Sequence, residues 1–237
     1  MTQNHQFHRP DLEAADMLAT SRQLEHDLQR IIVANSVILD VGANRGQFAL
    51  EILQILSDTK IFSFEPVPDA FEELLSLSKQ HNQIIPVNRA VSLQNGQSTF
   101  FVTASDEGSS LLEPLPNQAS RWLTLEKRLS VETIRLDNFI KNELGDTEKG
   151  IALLKSDAQG SDHDVILSAG EFLNPKFIKS ILVEINFTSF YHGQQHYYDI
   201  FSTLDKAGYR MAWMYPHRAY DEWLWWADVL FIDKQVP

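Results

Sequence analysis

The 237-residue chain carries 20 Lys and Arg against 32 Asp and Glu, a net charge of −12, and has no cysteine. That balance argues against a nucleic-acid partner, which needs clustered cations on phosphates, and against docking on anionic lipid. The missing cysteines exclude disulfides, Cys-based zinc sites and a thiol nucleophile.

With 43% hydrophobic residues the chain has enough apolar side chains for a core. No apolar run approaches the ~20 residues that cross a bilayer. The polar start, Met1-Thr2-Gln3-Asn4-His5, lacks a signal-peptide pattern. A cytoplasmic protein is expected, with an N-terminal helical extension over residues 1–30 and one α/β domain over 31–237.

In chain order, residues 1–10 are polar and end at Pro10. Asp11 is placed to cap a helix reaching about Ile32, with Leu12, Leu18, Leu24, Leu28 and Ile31 at mostly helical spacing. That helix either covers a binding crevice or packs on the sheet. Strands and helices then alternate. A strand at Val37–Val41 precedes a helix at about Gln47–Leu56, and a strand at Lys60–Phe64 precedes a helix at about Asp69–Lys79. A third strand, Ile84–Val87, runs on toward Val91. Such alternation predicts a parallel sheet with right-handed crossovers.

Residues 92–135 have another texture. Asn95-Gly96 signals a hairpin turn, Ser98–Val102 and Val131–Leu136 read as strands, and Ser105–Asn117 reads as a loop near the ligand. The domain therefore carries a β-rich insertion after its third strand. A fourth core strand, Ile151–Lys155, ends at Asp157, and a helix starts at about Asp162. A fifth strand, Ile178–Ile185, precedes a helix at about Tyr197–Ala207. Tyr209–Met214 and Ala227–Ile232 read as a closing hairpin, which makes the last strand antiparallel.

The first strand ends in Asp40-Val41-Gly42-Ala43-Asn44-Arg45-Gly46 and passes into a helix that contains Phe48. Glycines at such a turn admit a ligand close to the backbone, and the helix start offers free N–H groups. The second strand ends in Glu65-Pro66, which places a carboxylate for ribose hydroxyls. A dinucleotide fingerprint needs a glycine at the middle of the loop, and Asn44 fills that stretch here. Asp40 at the strand tip would repel a pyrophosphate and suits a cationic ligand with an amino group. S-adenosylmethionine is such a ligand.

The motifs Leu39-Asp-Val-Gly-Ala-Asn-Arg-Gly46, Phe64-Glu-Pro66, Asn88-Arg-Ala-Val91, Ser109-Ser-Leu111, Leu136-Asp-Asn-Phe139, Leu154-Lys-Ser-Asp-Ala-Gln-Gly160 and Val183-Glu184 follow one another between about Ile31 and Asp233. In that order they resemble the FkbM-type methyltransferases. The resemblance implies a class I fold: a Rossmann-like, seven-stranded, mostly parallel α/β sheet with an antiparallel last strand. It also implies S-adenosylmethionine as cofactor, and methylation of hydroxyls on sugars, glycans or glycosylated metabolites. The chain departs from the pattern at Gln159, where the family has an acid, and at Ser161, Asp162 and His163. These departures fall where an acceptor would sit.

Cofactor contacts are expected from Asp40, Gly42, Ala43, Asn44, Gly46 and Phe48, from Glu65 and Pro66, from Asn88, Arg89 and Ala90 beside the adenine, and from Ser109, Ser110 and Asp157. Methyl transfer to oxygen needs an aligned hydroxyl and a base for its proton. Candidates for the base are Asp157, His163, His192 and Glu184; a His near its ordinary pKa of about 6.5 suits neutral pH. Trp213, Tyr215, Trp223, Trp225 and Trp226 form an aromatic run. Such rings stack on sugars and equally pack a hairpin onto a sheet; Trp226 is assigned to packing and Trp223 is left open. No His, Asp or Glu spacing makes a metal site, since Asp162, His163 and Asp164 point apart on a helix.

The expected partner is a small-molecule or glycan acceptor; a homo-oligomer is left open. Two other readings stand beside this one. One is a non-catalytic nucleoside-binding module of the same fold. The other is an NAD-dependent sugar-nucleotide dehydrogenase, which Asp40 and the missing middle glycine disfavour.

Overall fold

The computed structural model describes residues 22–116, 123–144, 150–220 and 223–236, with the backbone alone at 216–220 and 223. The expectations placed on Asp11, Leu12, Leu18, Asn117 and the Trp223 ring lie outside the described residues.

Residues 22–31 form helix α1. The core then runs β1 (Val37–Val41), α2 (Gln47–Ile55), β2 (Lys60–Phe64), α3 (Pro68–Ser78) and β3 (Ile84–Val87). An insertion follows: β4 (Ala90–Val91), β5 (Gly96–Thr103), β6 (Leu125–Ile134) and the short helix α4 (Leu136–Phe139). The core resumes with β7 (Ile151–Ser156), α5 (Asp162–Ser168), β8 (Ile178–Asn186), α6 (Tyr197–Ala207), β9 (Tyr209–Tyr220) and β10 (Trp223–Asp233). Among the described residues no helix is long and apolar enough to cross a membrane.

One sheet has the order β3-β2-β1-β7-β8-β10-β9. The pairings from β3 to β8 are parallel, and β10 runs antiparallel to both of its neighbours. The chain leaves β1 toward one edge and returns at β7 on the other side. The carboxyl ends of β1 and β7 therefore frame the crevice where a parallel sheet takes its ligand.

Burial is nearly continuous along the central strands, as a sheet covered on both faces requires, with successive side chains turned to opposite faces. Leu39, Leu154 and Val183 point into a cluster with Leu136, Phe139, Val165 and Leu204, on the face covered by α4, α5 and α6. Ile38, Leu153 and Leu182 point into a second cluster with Leu28, Ala49, Ile52 and Leu74, on the face of α1, α2 and α3. Helix α1 thus packs on the sheet. The Tyr215 hydroxyl on β9 donates to Asp27 Oδ2 on α1 at 2.7 Å.

The insertion differs from its reading in three places. The third strand stops at Val87 instead of running on to Val91, and Ala90–Val91 joins a separate sheet of order β4-β6-β5. Strand β6 lies between β4 and β5, so Asn95-Gly96 links strands that are not neighbours and is no hairpin turn. Asn95 Oδ1 instead accepts from the Arg135 amide at 2.8 Å. Leu136, expected to end a strand, opens α4 and is fully buried. The closing hairpin is longer than the apolar pattern shows, because β9 and β10 stay paired out to Tyr220 and Trp223.

Removing the Tyr215 hydroxyl leaves Asp27 short of a donor, a loss of about 1.5–3 kcal/mol for a charge-assisted hydrogen bond. Tyr215→Phe should lower the midpoint of urea unfolding accordingly and leave the slope unchanged. An unaltered midpoint would show that α1 is not held by this bond.

Candidate active site

An open crevice of about 800 Å³ lies at the carboxyl ends of β1, β2 and β7. Of the expected residues, Gly42, Asn44, Glu65, Pro66, Arg89, Ala90, Ser109 and Asp157 line it, together with Phe64, Val67, Phe100, Leu111 and Gln159.

The glycine loop is built for close approach. Gly42 has φ +74°, and a Cβ there would stand 1.9 Å from the Asp157 carbonyl oxygen. Asn44 also has a positive φ, of 48°. That turn aims its amide at Glu65, and Asn44 N donates to Glu65 Oε2 at 2.9 Å. The Val67 amide donates to Glu65 Oε1 at 2.7 Å. Each carboxyl oxygen of Glu65 is thus fixed by one backbone N–H and keeps a lone pair for another donor. Burial pushes the Glu65 carboxyl up to about 7, against the lowering effect of the Val67 and Asn44 amides. Asn88 Nδ2 braces this turn by donating to the Glu65 carbonyl at 2.9 Å.

Asp40 does not face the crevice. It is fully buried under the loop. The cation it meets is Lys155, whose ammonium stands 3.4 Å from Asp40 Oδ1. The same ammonium is 3.5 Å from Asp157 Oδ2 and donates to the Gly42 carbonyl at 3.1 Å. Burial alone would lower the Lys155 pKa; Asp157 and Asp40, with Asp228 beyond them, hold it raised. The reading of Asp40 as a direct partner for a ligand amine is corrected accordingly: it balances Lys155 below the floor. A charged residue inside the apolar run Ile151-Ala-Leu-Leu-Lys155 was the signal, because a buried charge needs a partner.

Other expected residues support the crevice from behind. Ala43 donates its amide to the Phe64 carbonyl at 3.0 Å. Gly46 caps α2, where a Cβ would press on Leu77 and Leu74. Phe48 packs in the cluster under the loop, its ring centroid 5.7 Å from Lys155 Nζ. Ser109 Oγ accepts from the Thr103 amide at 3.1 Å. Ser110 is buried and fastens the insertion to the segment after β7, its hydroxyl donating to the Gln159 carbonyl at 2.7 Å. Arg89 at the rim is held by Glu143 through bonds of 2.6 and 2.9 Å.

Of the four candidates for the base, the structure brings Asp157 and Glu184 together and separates the two histidines from them. His163 Nε2 lies 2.8 Å from Thr203 Oγ1 on α6, and burial lowers its pKa. His192 is exposed beyond Tyr191, its amide bonded to the Glu113 carbonyl at 2.8 Å. Neither lines the crevice. Helical phase explains His163: Asp162, its neighbour, turns inward instead. Asp162 Oδ1 accepts from Ser156 Oγ at 2.6 Å and from the Ala158 amide at 2.9 Å. Burial pushes the Asp162 carboxyl up to about 6.

Gln159 links the two acids. Its Nε2 donates to Asp157 Oδ1 at 2.8 Å and to Glu184 Oε1 at 3.2 Å. Burial raises Glu184 well above the carboxylate range, and Asp157, Asp162 and Asp228 add to the shift. Away from the crevice, Trp225 and Trp226 pack their rings on Phe190 at 5.8 and 6.0 Å, which bears out packing for Trp226.

A seven-stranded sheet in this order, with a glycine loop after β1 and a carboxylate at the tip of β2, has the architecture of class I methyltransferases. The chain belongs to the FkbM methyltransferase family, whose model, described as the methyltransferase FkbM domain, matches residues 40–211. It is 30% identical over 166 residues to the 2-O-methyltransferase NoeI of Sinorhizobium fredii, covering 67% of this chain and 66% of that protein. It is 25% identical over 169 residues to the hexuronic acid methyltransferase AglP of Haloferax volcanii, covering 68% of this chain and 62% of that protein. The chain thus spans a little under two thirds of the length of these curated relatives. Among solved structures, Aeropyrum pernix fibrillarin in complex with S-adenosyl-L-methionine has the same fold, with a TM-score of 0.50 at 15% identity, covering 91% of this chain and 74% of that one.

Lys155 gives the site a direct test. Removing one member of a buried ion pair leaves the other charge without compensation, a loss of about 3–5 kcal/mol. Lys155→Met should destabilise the chain by that order, and Asp40→Asn in the same chain should recover a good part of it. Equal stability of wild type and Lys155→Met in denaturant unfolding would refute the pairing.

Proposed function

We propose that the chain is an S-adenosylmethionine-dependent O-methyltransferase acting on a hydroxyl of a carbohydrate, glycan or glycosylated metabolite. The observation that carries the reading is the Glu65 carboxylate. Both its oxygens are steadied by backbone amides, and both retain an acceptor site toward the crevice, which suits the two hydroxyls of a ribose. Two further features fit the cofactor. Asn44 Oδ1, in the glycine loop, is buried without a hydrogen-bond partner. The absent Cβ of Gly42 leaves the loop backbone free for close contact. The name of one curated relative specifies methylation on oxygen and that of the other a hexuronic acid, and together they favour a sugar hydroxyl as acceptor.

In this reading Glu65 takes the ribose hydroxyls and Pro66, Arg89 and Ala90 border the base. The Gly42–Asn44 backbone holds the amino-acid end. Bound S-adenosylmethionine supplies an electrophilic methyl group on a good leaving group. Asp157, on the floor beside Gly42, orients the acceptor hydroxyl and receives its proton. Lys155 and Gln159 steady Asp157 from opposite sides. Asp106, Glu107 and Asp157 make the lining acidic. Arg45 is paired with Asp106 and Glu73, and Arg89 with Glu143. The charge balance therefore favours an uncharged saccharide over a uronate, and disfavours the pyrophosphate of NAD.

The Glu65 carboxylate accepts both hydroxyls only when ionised. Affinity for S-adenosylhomocysteine should therefore rise as pH climbs through about 7, where Glu65 loses its proton, and level off above it. Glu65→Gln should flatten that dependence, and Glu65→Ala should cost 10–100-fold, about 1.5–3 kcal/mol. Calorimetry that finds Glu65→Ala binding like wild type would place the diol partner elsewhere.

The acceptor is found by incubating the chain with methyl-tritiated S-adenosylmethionine and p-nitrophenyl glycosides of hexoses, 6-deoxyhexoses, N-acetylhexosamines and glucuronic acid. Label should appear on neutral glycosides at least tenfold faster than on the glucuronide. Asp157→Asn should cut that rate by roughly 10²–10⁴, the range for loss of a general base. Tight cofactor binding with no label on any glycoside would favour the non-catalytic binding module.

A further inference from the structure

Gln159 stands where a side chain is costly. Its φ is +52°, in the left-handed region that glycine enters freely and other residues enter under strain. Glycine follows at once in the sequence, so the local turn has no need of a glutamine. Backbone strain of this kind persists where the surroundings over-determine it, and it clusters at functional sites.

What the glutamine contributes is on its polar atoms, each of which has a neighbour within hydrogen-bond distance. The two Nε2 protons go to Asp157 Oδ1 at 2.8 Å and Glu184 Oε1 at 3.2 Å. The side-chain oxygen lies 3.1 Å from the Tyr191 hydroxyl, which also reaches the Gly108 carbonyl at 3.0 Å. Behind it, the Gln159 carbonyl accepts from Ser110 Oγ. A carboxamide is the neutral group that can donate to two acids at once and accept on its far side. A carboxyl in its place would bring a third acid against two that already repel. Glutamine thus joins the tip of β7, the tip of β8 and the insertion loop in one hydrogen-bonded chain.

We propose that Gln159 is a positioning residue for methyl transfer: its amide bridges Asp157 and Glu184, and so fixes the orientation of the Asp157 carboxylate on the crevice floor. The role rests on methyl transfer being the reaction of this crevice. Asp157 is held between two donors, with Lys155 Nζ at Oδ2 and Gln159 Nε2 at Oδ1. Without the amide, one side of that grip is lost. The charged and titratable groups around the bridge are Asp40 and Lys155 on β1 and β7, Asp162 at the start of α5, Asp228 on β10, and Tyr191 after β8. Asn186 adds a donor to Glu184 Oε1 at 3.3 Å.

The bridge is tested without an acceptor. In the ¹⁵N-labelled chain with S-adenosylhomocysteine bound, the Gln159 side-chain amide is assigned by its disappearance in Gln159→Gly. Its resonances should move with pH as Glu184 gains and loses a proton, and Glu184→Gln should abolish that movement. An amide with the exchange rate and shifts of a free, solvated glutamine, unmoved by pH, would overturn the proposal. Gln159→Gly should stay folded, since it relaxes the left-handed turn. Should that variant unfold, Gln159→Glu provides the same assignment.

With the p-nitrophenyl glycoside that is methylated, both variants should lower kcat tenfold or more. The KM for S-adenosylmethionine should change less than threefold. Gln159→Glu should also shift the acid limb of the rate profile to higher pH. Wild-type kcat and a superimposable profile in both variants would overturn the role. If no glycoside is methylated by wild type, the transferase reading fails while the amide resonances still decide whether the bridge exists.

Discussion

One ammonium group holds the two central strands of the sheet together at their tips. Lys155 Nζ lies under the glycine loop, between Asp40 on β1 and Asp157 beyond β7, and donates to the Gly42 carbonyl. Removing Asp40 and Lys155 from water is costly unless they compensate one another. The sheet register makes that possible, because Asp40 and Lys155 are paired residues of adjacent parallel strands. The arrangement brings the Asp157 backbone against Gly42 so closely that a Cβ at Gly42 has no room. It also leaves two carboxylates for one ammonium. The resulting negative field beneath the loop favours a cationic cofactor over a phosphate-bearing one.

Around that floor the two halves of the crevice are built differently. On the β2 side the buried acid, Glu65, is steadied by backbone amides. The β7–β8 side is a network of side chains in which each acid leans on a neutral partner: Asp162 on Ser156, Asp157 and Glu184 on Gln159. The insertion closes over both. Ser110 fastens it to the segment after β7, and Arg45 bonds to Asp106 at 2.6 Å at its outer edge. The first half suits tight binding of a nucleoside. The second suits control over a proton.

The sequence made legible what depends on short-range spacing. The alternation of strands and helices, the Gly42–Gly46 loop and Glu65 at a strand tip are all local patterns, and each stands in the structure where it was expected. Two kinds of feature escaped. One depends on strand register: the pairing of Asp40 with Lys155 appears only when β1 and β7 lie side by side, so from sequence Asp40 reads as a ligand contact and Lys155 as part of a motif. The other depends on helix and loop phase. His163 and Asp162 are adjacent, yet the turn at Gly160 sends Asp162 inward and His163 toward Thr203. Gln159 drew notice only as a departure from the family pattern, because its three partners come from different parts of the chain. The strand break after Val87 was hidden by the apolar residues of Ala90–Val91, which fit either sheet.

If this crevice is a nucleoside site, the acid at the tip of β2 takes the ribose and Lys155 sets the floor. A crystal structure of the chain grown with S-adenosylhomocysteine tests it most directly. The crystal should show the nucleoside in the crevice, both ribose hydroxyls on Glu65, and Lys155 still between Asp40 and Asp157. A nucleoside bound outside the crevice, or a ribose with no contact to Glu65, would contradict it.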